Sequence, residues 1–119
     1  MTGARAVHTQ EISMTHFALL VFVASAVLEV GGDAVIRKGL RGGGLAVILV
    51  GCIMLGGYGV VVNTVRWDFS RLLGVYVAVF ALVSVLFGRL AFRESVPAAT
   101  WIGLAVIMLG ALIIQFAGR

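Results

Sequence analysis

The chain has 119 residues, 61% of them hydrophobic and 12% charged, with a mean hydropathy of +1.14. A soluble domain of this size carries about a quarter charged residues, so the composition excludes one and points to a small integral membrane protein. The formal net charge is +4, but the basic residues are scattered over the connecting segments. They read as membrane-flanking charges and not as a nucleic-acid face.

Residues 1–13 (MTGARAVHTQEIS) are polar and aperiodic, which predicts a flexible or interfacial N-terminal extension. Met14 would serve equally well as a start, and residues 14–119 are expected to form one four-transmembrane-helix domain. A signal peptide fits poorly, because the apolar region that follows carries two acids.

The first span is predicted over about residues 15–36, close to the roughly 20 residues a bilayer core requires. Within it, Ser25, Glu29, Asp33 and Arg37 fall four apart and form one slowly drifting polar stripe on a helix. Val23, Val27, Val30 and Ala34 make up an apolar face. Ionised, unpaired carboxylates at membrane depth cost several kcal/mol, so they mark cavities, partners or pathways. Glu29 is therefore a candidate proton and cation site, the other role open to it being a hydrogen-bonded interhelical contact. Asp33 either shares that site or pairs with Arg37 one turn on.

Arg37, Lys38 and Arg41 close the first span, and Gly42, Gly43 and Gly44 predict a turn. The second span, about residues 45–65, is uncharged and holds Gly51, Gly56, Gly57 and Gly59. Small residues let helix backbones approach closely in lipid, so this helix is expected to pack along a glycine face. The lone Cys52 falls inside it and excludes an intrachain disulfide framework. Trp67 suits the interface, and Asp68 suits the N-cap of the next helix.

The third span, about residues 69–88, contains GVYVAVFALVSVLFG. Tyr76 and Phe80 lie one turn apart on one face, and Ser84 continues it. A tyrosine hydroxyl in lipid must find a partner, and a carboxylate is a good one. Tyr58, Tyr76 and Phe80 are thus either packing groups or the walls of a substrate site. Ser95 is placed to cap the fourth span, about residues 96–117, with Pro97 in its first turn. Gly103, Ile107 and Gly110 form a narrow stripe on that helix, with partners inside or outside the subunit. No period-2 alternation occurs, so the predicted fold class is all-α, an integral membrane four-helix bundle.

Four spans put both termini on one side of the membrane. Arg5, Arg66, Arg71 and Arg119 share that side, while Arg37, Lys38, Arg41, Arg89 and Arg93 share the other. Four against five gives the positive-inside rule almost nothing to act on, which is what a chain inserting in both orientations would show.

LEVGGDAVIRK in the first span resembles the pattern of the small multidrug resistance family, a branch of the drug/metabolite transporter superfamily. There a membrane Glu is followed by Val, then a Gly, then a basic residue eight positions on, here Glu29, Val30, Gly32 and Arg37. GVYVAVF resembles the family's Tyr and downstream aromatic, and Gly103 with Gly110 its dimerisation stripe. The chain departs from that pattern in having Phe80 where a Trp is usual, and in the extra acid Asp33. The resemblance implies an antiparallel, dual-topology homodimer, multi-pass in a bacterial-type inner (plasma) membrane. It also implies exchange of protons for small organic cations, of quaternary ammonium, guanidinium or polyamine type, at the paired glutamates. The site residues would be Glu29, Asp33, Tyr76, Phe80, Tyr58 and Ser25, and the dimer contact Gly103, Ile107 and Gly110. The expected partners are protons, the cation, membrane lipids and a second copy. No cofactor, metal, enzymatic residue or nucleic acid is expected. The alternative is a non-catalytic or lipid-handling membrane subunit of the same fold.

Overall fold

The computed structural model describes residues 2–117, and every regular element among them is helical: α1 (Thr2–Lys38), α2 (Leu45–Val62), α3 (Phe69–Leu90) and α4 (Ala98–Phe116). All four contain a stretch long and apolar enough to cross a membrane, as expected. Large apolar residues such as Leu20, Ile53, Val60, Leu90 and Ile102 point outward. This is the surface of a protein solvated by lipid chains and not by water.

At a rise of 1.5 Å per residue, the 37 residues of α1 extend roughly 55 Å, well beyond the ~30 Å hydrocarbon core. Its membrane-length part begins at Ser13. The polar 2–13 segment, expected to be flexible or interfacial, continues the same helix. Adding residues to an existing helix requires no new nucleus.

The glycine turn falls where predicted but starts earlier, as a wide turn over Gly39–Gly43 closed by Gly44 N–H donating to Gly39 O at 3.0 Å. Gly42 and Gly44 take φ of 110° and 93°, a region that side chains disfavour. α2 stops three residues short of the predicted 65. Asn63 Nδ2 donates to Gly59 O at 2.7 Å and Thr64 Oγ1 to Val61 O at 2.6 Å, so these side chains engage the last carbonyls where the helix would otherwise continue. Asp68 occupies the N-cap position of α3, but its side chain makes no cap hydrogen bond. The expected Ser95 cap is corrected: Pro97 itself is the N-cap of α4, extended at φ −69° and ψ 157°, and Thr100 N–H donates to its carbonyl.

The helices stand in an open row, α2–α1–α3–α4. α1 packs on α2 and α3, while α4 packs closely on α3 alone among the described residues. α1 and α2 run antiparallel and touch through glycines. A Cβ at Gly51 would lie 2.8 Å from Gly32 O, and one at Gly39 would lie 2.9 Å from Ile48 N. Of the predicted glycine face, Gly51 and Gly57 meet α1, whereas Gly56 and Gly59 face open space. The core lies between α1 and α3, where Ala18, Phe22 and Ala26 pack with Leu72, Val75 and Tyr76. α2 and α3 both pack on α1, while their backbones stay apart among the described residues, so α1 forms the floor of a gap between them that side chains cross.

Candidate functional site

The polar stripe of α1 faces α3 and becomes more open along its length. Ser25 is 0% exposed, Glu29 is half-buried, and Asp33 and Arg37 are exposed. Glu29 meets α3 where Tyr76 Oη donates to its Oε1 at 2.9 Å. Tyr76 is buried in the core, so a rigid ring delivers this hydrogen bond.

Around Tyr76 the structure assembles an aromatic cluster from three helices. Tyr58 of α2 stacks on it with ring centroids 5.4 Å apart, reaching across the gap over α1. Phe22 of α1 meets it edge-on at 5.6 Å, and Phe80 sits 6.4 Å away one turn along α3. Each well-formed aromatic pair contributes about 0.5–1.5 kcal/mol beyond its burial. Glu29, Tyr76, Tyr58 and Phe80 therefore come together, as the sequence suggested. Ser25 lies on the same stripe one turn before Glu29. Its Oγ is buried with no hydrogen-bond partner among the described residues.

Asp33 stands apart from this cluster. It lines a cleft of about 360 Å³ between α1, the end of α3 and the start of α4, together with Arg37, Phe80, Ser84 and Glu94. The expected alternative, an Asp33–Arg37 pair, does not form: the Arg37 guanidinium lies 5.6 Å over the Phe92 ring. Phe80 belongs to both regions and joins the aromatic cluster to the cleft.

Two residues of this neighbourhood went unread in the sequence. Phe22 is seven positions before Glu29, two turns back on the same stripe, so the periodicity that marked Ser25 could also have marked it. Glu94 reaches the cleft because Arg93 takes φ 54° and Glu94 N–H donates to Gly88 O at 3.0 Å; no local motif signals that. Trp67, read as an interface residue, packs edge-on against Phe22 at 5.4 Å and lies under the Arg71 guanidinium at 4.0 Å. Arg71 also donates twice to Gln115 Oε1, at 3.1 and 3.0 Å, tying α3 to α4.

The proposed dimer stripe is not consumed within the subunit. α4 meets α3 through Leu104, Ala111 and Gln115, while a Cβ at Gly103 or Gly110 would meet nothing within 4 Å. Ile107 is exposed beside them. Among the described residues no cluster of three or more His, Cys, Asp or Glu side chains could hold a metal ion.

The family model described as "Uncharacterised BCR, YnfA/UPF0060 family" matches residues 15–119. A UPF0060 membrane protein of Mycobacterium marinum is 38% identical over 106 residues, covering 86% of this chain and 94% of the relative. The UPF0060 membrane protein YfjF of Bacillus subtilis is 30% identical over 112 residues, covering 89% and 99%. Another, from Synechocystis sp., is 29% identical over 103 residues, covering 86% and 95%. No solved structure matches the chain. The family matched is thus not the small multidrug resistance family that the first-helix motif resembles.

Proposed function

Since the chain belongs to the YnfA/UPF0060 family of membrane proteins, we propose that it is a four-helix membrane transporter that exchanges protons for small organic cations at Glu29. The observation that carries this reading is the Glu29 carboxylate itself, half-buried within a membrane helix and held at 2.9 Å by Tyr76 inside an aromatic cluster. An acid in that setting is functional by default. Aromatic faces beside a carboxylate also suit a quaternary ammonium or guanidinium group, which both attract. A proton and a cation then compete for one carboxylate, and the competition couples their fluxes without a second site. Ser25 offers spare hydrogen-bonding capacity one turn away, and Asp33 in the adjoining cleft is a waiting position for the cation.

The assembly we favour is an antiparallel homodimer, in which two copies of Glu29 form the shared site and the subunits exchange roles to alternate access. Two features support it: the near-even division of basic residues between the two sides, and a glycine stripe on α4 that finds no partner within the subunit. The resemblance of LEVGGDAVIRK to the small multidrug resistance pattern points the same way, and a bacterial inner membrane is the setting it fits.

The test is proton flux in proteoliposomes driven by a tetraalkylammonium, a guanidinium and a polyamine in turn. At least one should drive flux, and Glu29→Gln, which cannot ionise, should abolish it. Asp33→Asn should weaken apparent cation affinity while leaving coupling intact. No flux with any of the three overturns the exporter reading and leaves a non-catalytic or lipid-handling subunit, and cation-driven flux that survives Glu29→Gln overturns the assignment of the exchange to Glu29.

A further inference from the structure

The gap between α2 and α3 is filled at one level and open at another. Midway along, Tyr58 and Tyr76 stack across it. Toward the Gly39–Gly43 turn a groove of about 590 Å³ remains. Its floor is the small face of α1 at Gly31, Ala34 and Val35, and its walls are Met54 of α2 and Phe87 of α3. That lining is almost entirely apolar. At the mouth, where α1 reaches the membrane boundary, stand Arg37, Lys38 and Arg41, all exposed. Among the described residues no acidic one lines the groove; Asp33 and Glu94 line the neighbouring cleft, which shares Arg37.

We propose that this groove is a binding site for one anionic phospholipid, with an acyl chain on the Gly31–Val35 floor and the headgroup phosphate held by Lys38 and Arg41. Charge complementarity selects this occupant. A groove that opens among lipid chains fills with hydrocarbon, and three cations at its mouth without a lining carboxylate leave a negative headgroup to be supplied. Basic pockets at the ends of membrane helices recognise anionic lipid headgroups in this way. Arg37 contributes less than its neighbours, because its guanidinium is already engaged over Phe92 and faces the cleft that holds Asp33 and Glu94. The site is distinct from the α4 stripe and from Glu29, and it stands whether or not the protein exports cations. The lipid would be a resident ligand that wedges α2 and α3 apart at the basic end.

The experiment is native mass spectrometry and thermal unfolding of the full chain in neutral detergent, with phosphatidylglycerol or phosphatidylcholine of identical acyl chains, and with free glycerol phosphate as the headgroup alone. One phosphatidylglycerol per protomer should be retained and should raise the unfolding midpoint, with phosphatidylcholine and glycerol phosphate giving little. At about 1 kcal/mol per basic residue near an anionic headgroup, Lys38→Gln with Arg41→Gln should weaken retention ~30-fold. Arg66→Gln, which removes a charge at the other end of α2, should leave retention unchanged. Ala34→Leu keeps every charge but fills the groove, and it should also lose the lipid. Equal retention of the two lipids, or phosphatidylglycerol retained in full by both Lys38→Gln/Arg41→Gln and Ala34→Leu, overturns the proposal. So does a dimer whose interface covers the groove and excludes lipid.

Discussion

The α1–α2 contact allows a packing prediction whose magnitude follows from geometry. A methyl group at Gly51 would sit 2.5 Å from Ile36 Cγ1, 2.8 Å from Gly32 O and 3.0 Å from Ile36 N. The first atom can rotate away, but the other two are backbone, so relief requires the helices to separate. Bringing the carbonyl contact from 2.8 Å to the 3.4 Å at which ordinary contact begins needs a shift of about 0.6 Å. Overpacking of this kind costs about 1–3 kcal/mol, while replacing a helical glycine by alanine returns about 0.5–1 kcal/mol. Gly51→Ala should therefore destabilise by up to roughly 2.5 kcal/mol net, with about 1 kcal/mol at the middle of the two ranges. Gly32→Ala, whose nearest neighbours would be at 3.1 Å and partly side chain, should cost less. Gly56→Ala and Gly59→Ala face open space, so they should be neutral or stabilising by up to ~1 kcal/mol. Unfolding by sodium dodecyl sulfate in mixed micelles, followed by helical circular dichroism, measures all four. If Gly51→Ala and Gly56→Ala prove equally stable, the glycine contact between α1 and α2 is wrong.

Other substitutions probe other surfaces. Gly103→Leu and Gly110→Leu project into open space on α4, so the monomer should insert and unfold normally while the crosslinked dimer band disappears; a persistent dimer would locate the interface elsewhere. Tyr76→Phe removes only the hydroxyl that donates to Glu29. A hydrogen bond to a charged group contributes about 1.5–3 kcal/mol, so apparent affinity in cation-driven proton release should fall by roughly 10–100-fold while stacking on Tyr58 keeps the fold; unchanged release would make the contact incidental. A reporter fused after Arg119 should signal from both sides of the membrane, and two or three lysines added to one side should force a single orientation. A single-sided signal from the unmodified chain would rule out the antiparallel homodimer.

The fold was legible because apolar runs, charged boundaries and glycine turns act locally. Four spans and their order follow from hydropathy, and the Gly42–Gly44 turn from the backbone freedom it needs. Boundaries were harder wherever side chains compete with the backbone, as Asn63 and Thr64 do at the end of α2. The pairing of Glu29 with Tyr76 was also readable, since a carboxylate and a hydroxyl in lipid each require a partner. Which aromatics would surround that pair was not. Tyr58 reaches Tyr76 because α2 and α3 both pack on α1 and these two rings meet across the gap between them, and sequence periodicity carries no information about helix order.

The row arrangement also explains why the acids part company. A closed bundle would cover the stripe of α1 along its whole length, and Glu29 and Asp33 would share one environment. In an open row, α3 covers α1 up to Glu29 but leaves Asp33 in the cleft beside Glu94, with Phe80 between the two regions. The uncovered face of α4 has a related origin: among the described residues α4 packs closely on α3 alone. The Arg71–Gln115 hydrogen bonds and the Trp67–Arg71 stack anchor it at one end. Toward the other end Leu104 is buried, and the connection through Arg93 and Glu94 leads into the helix.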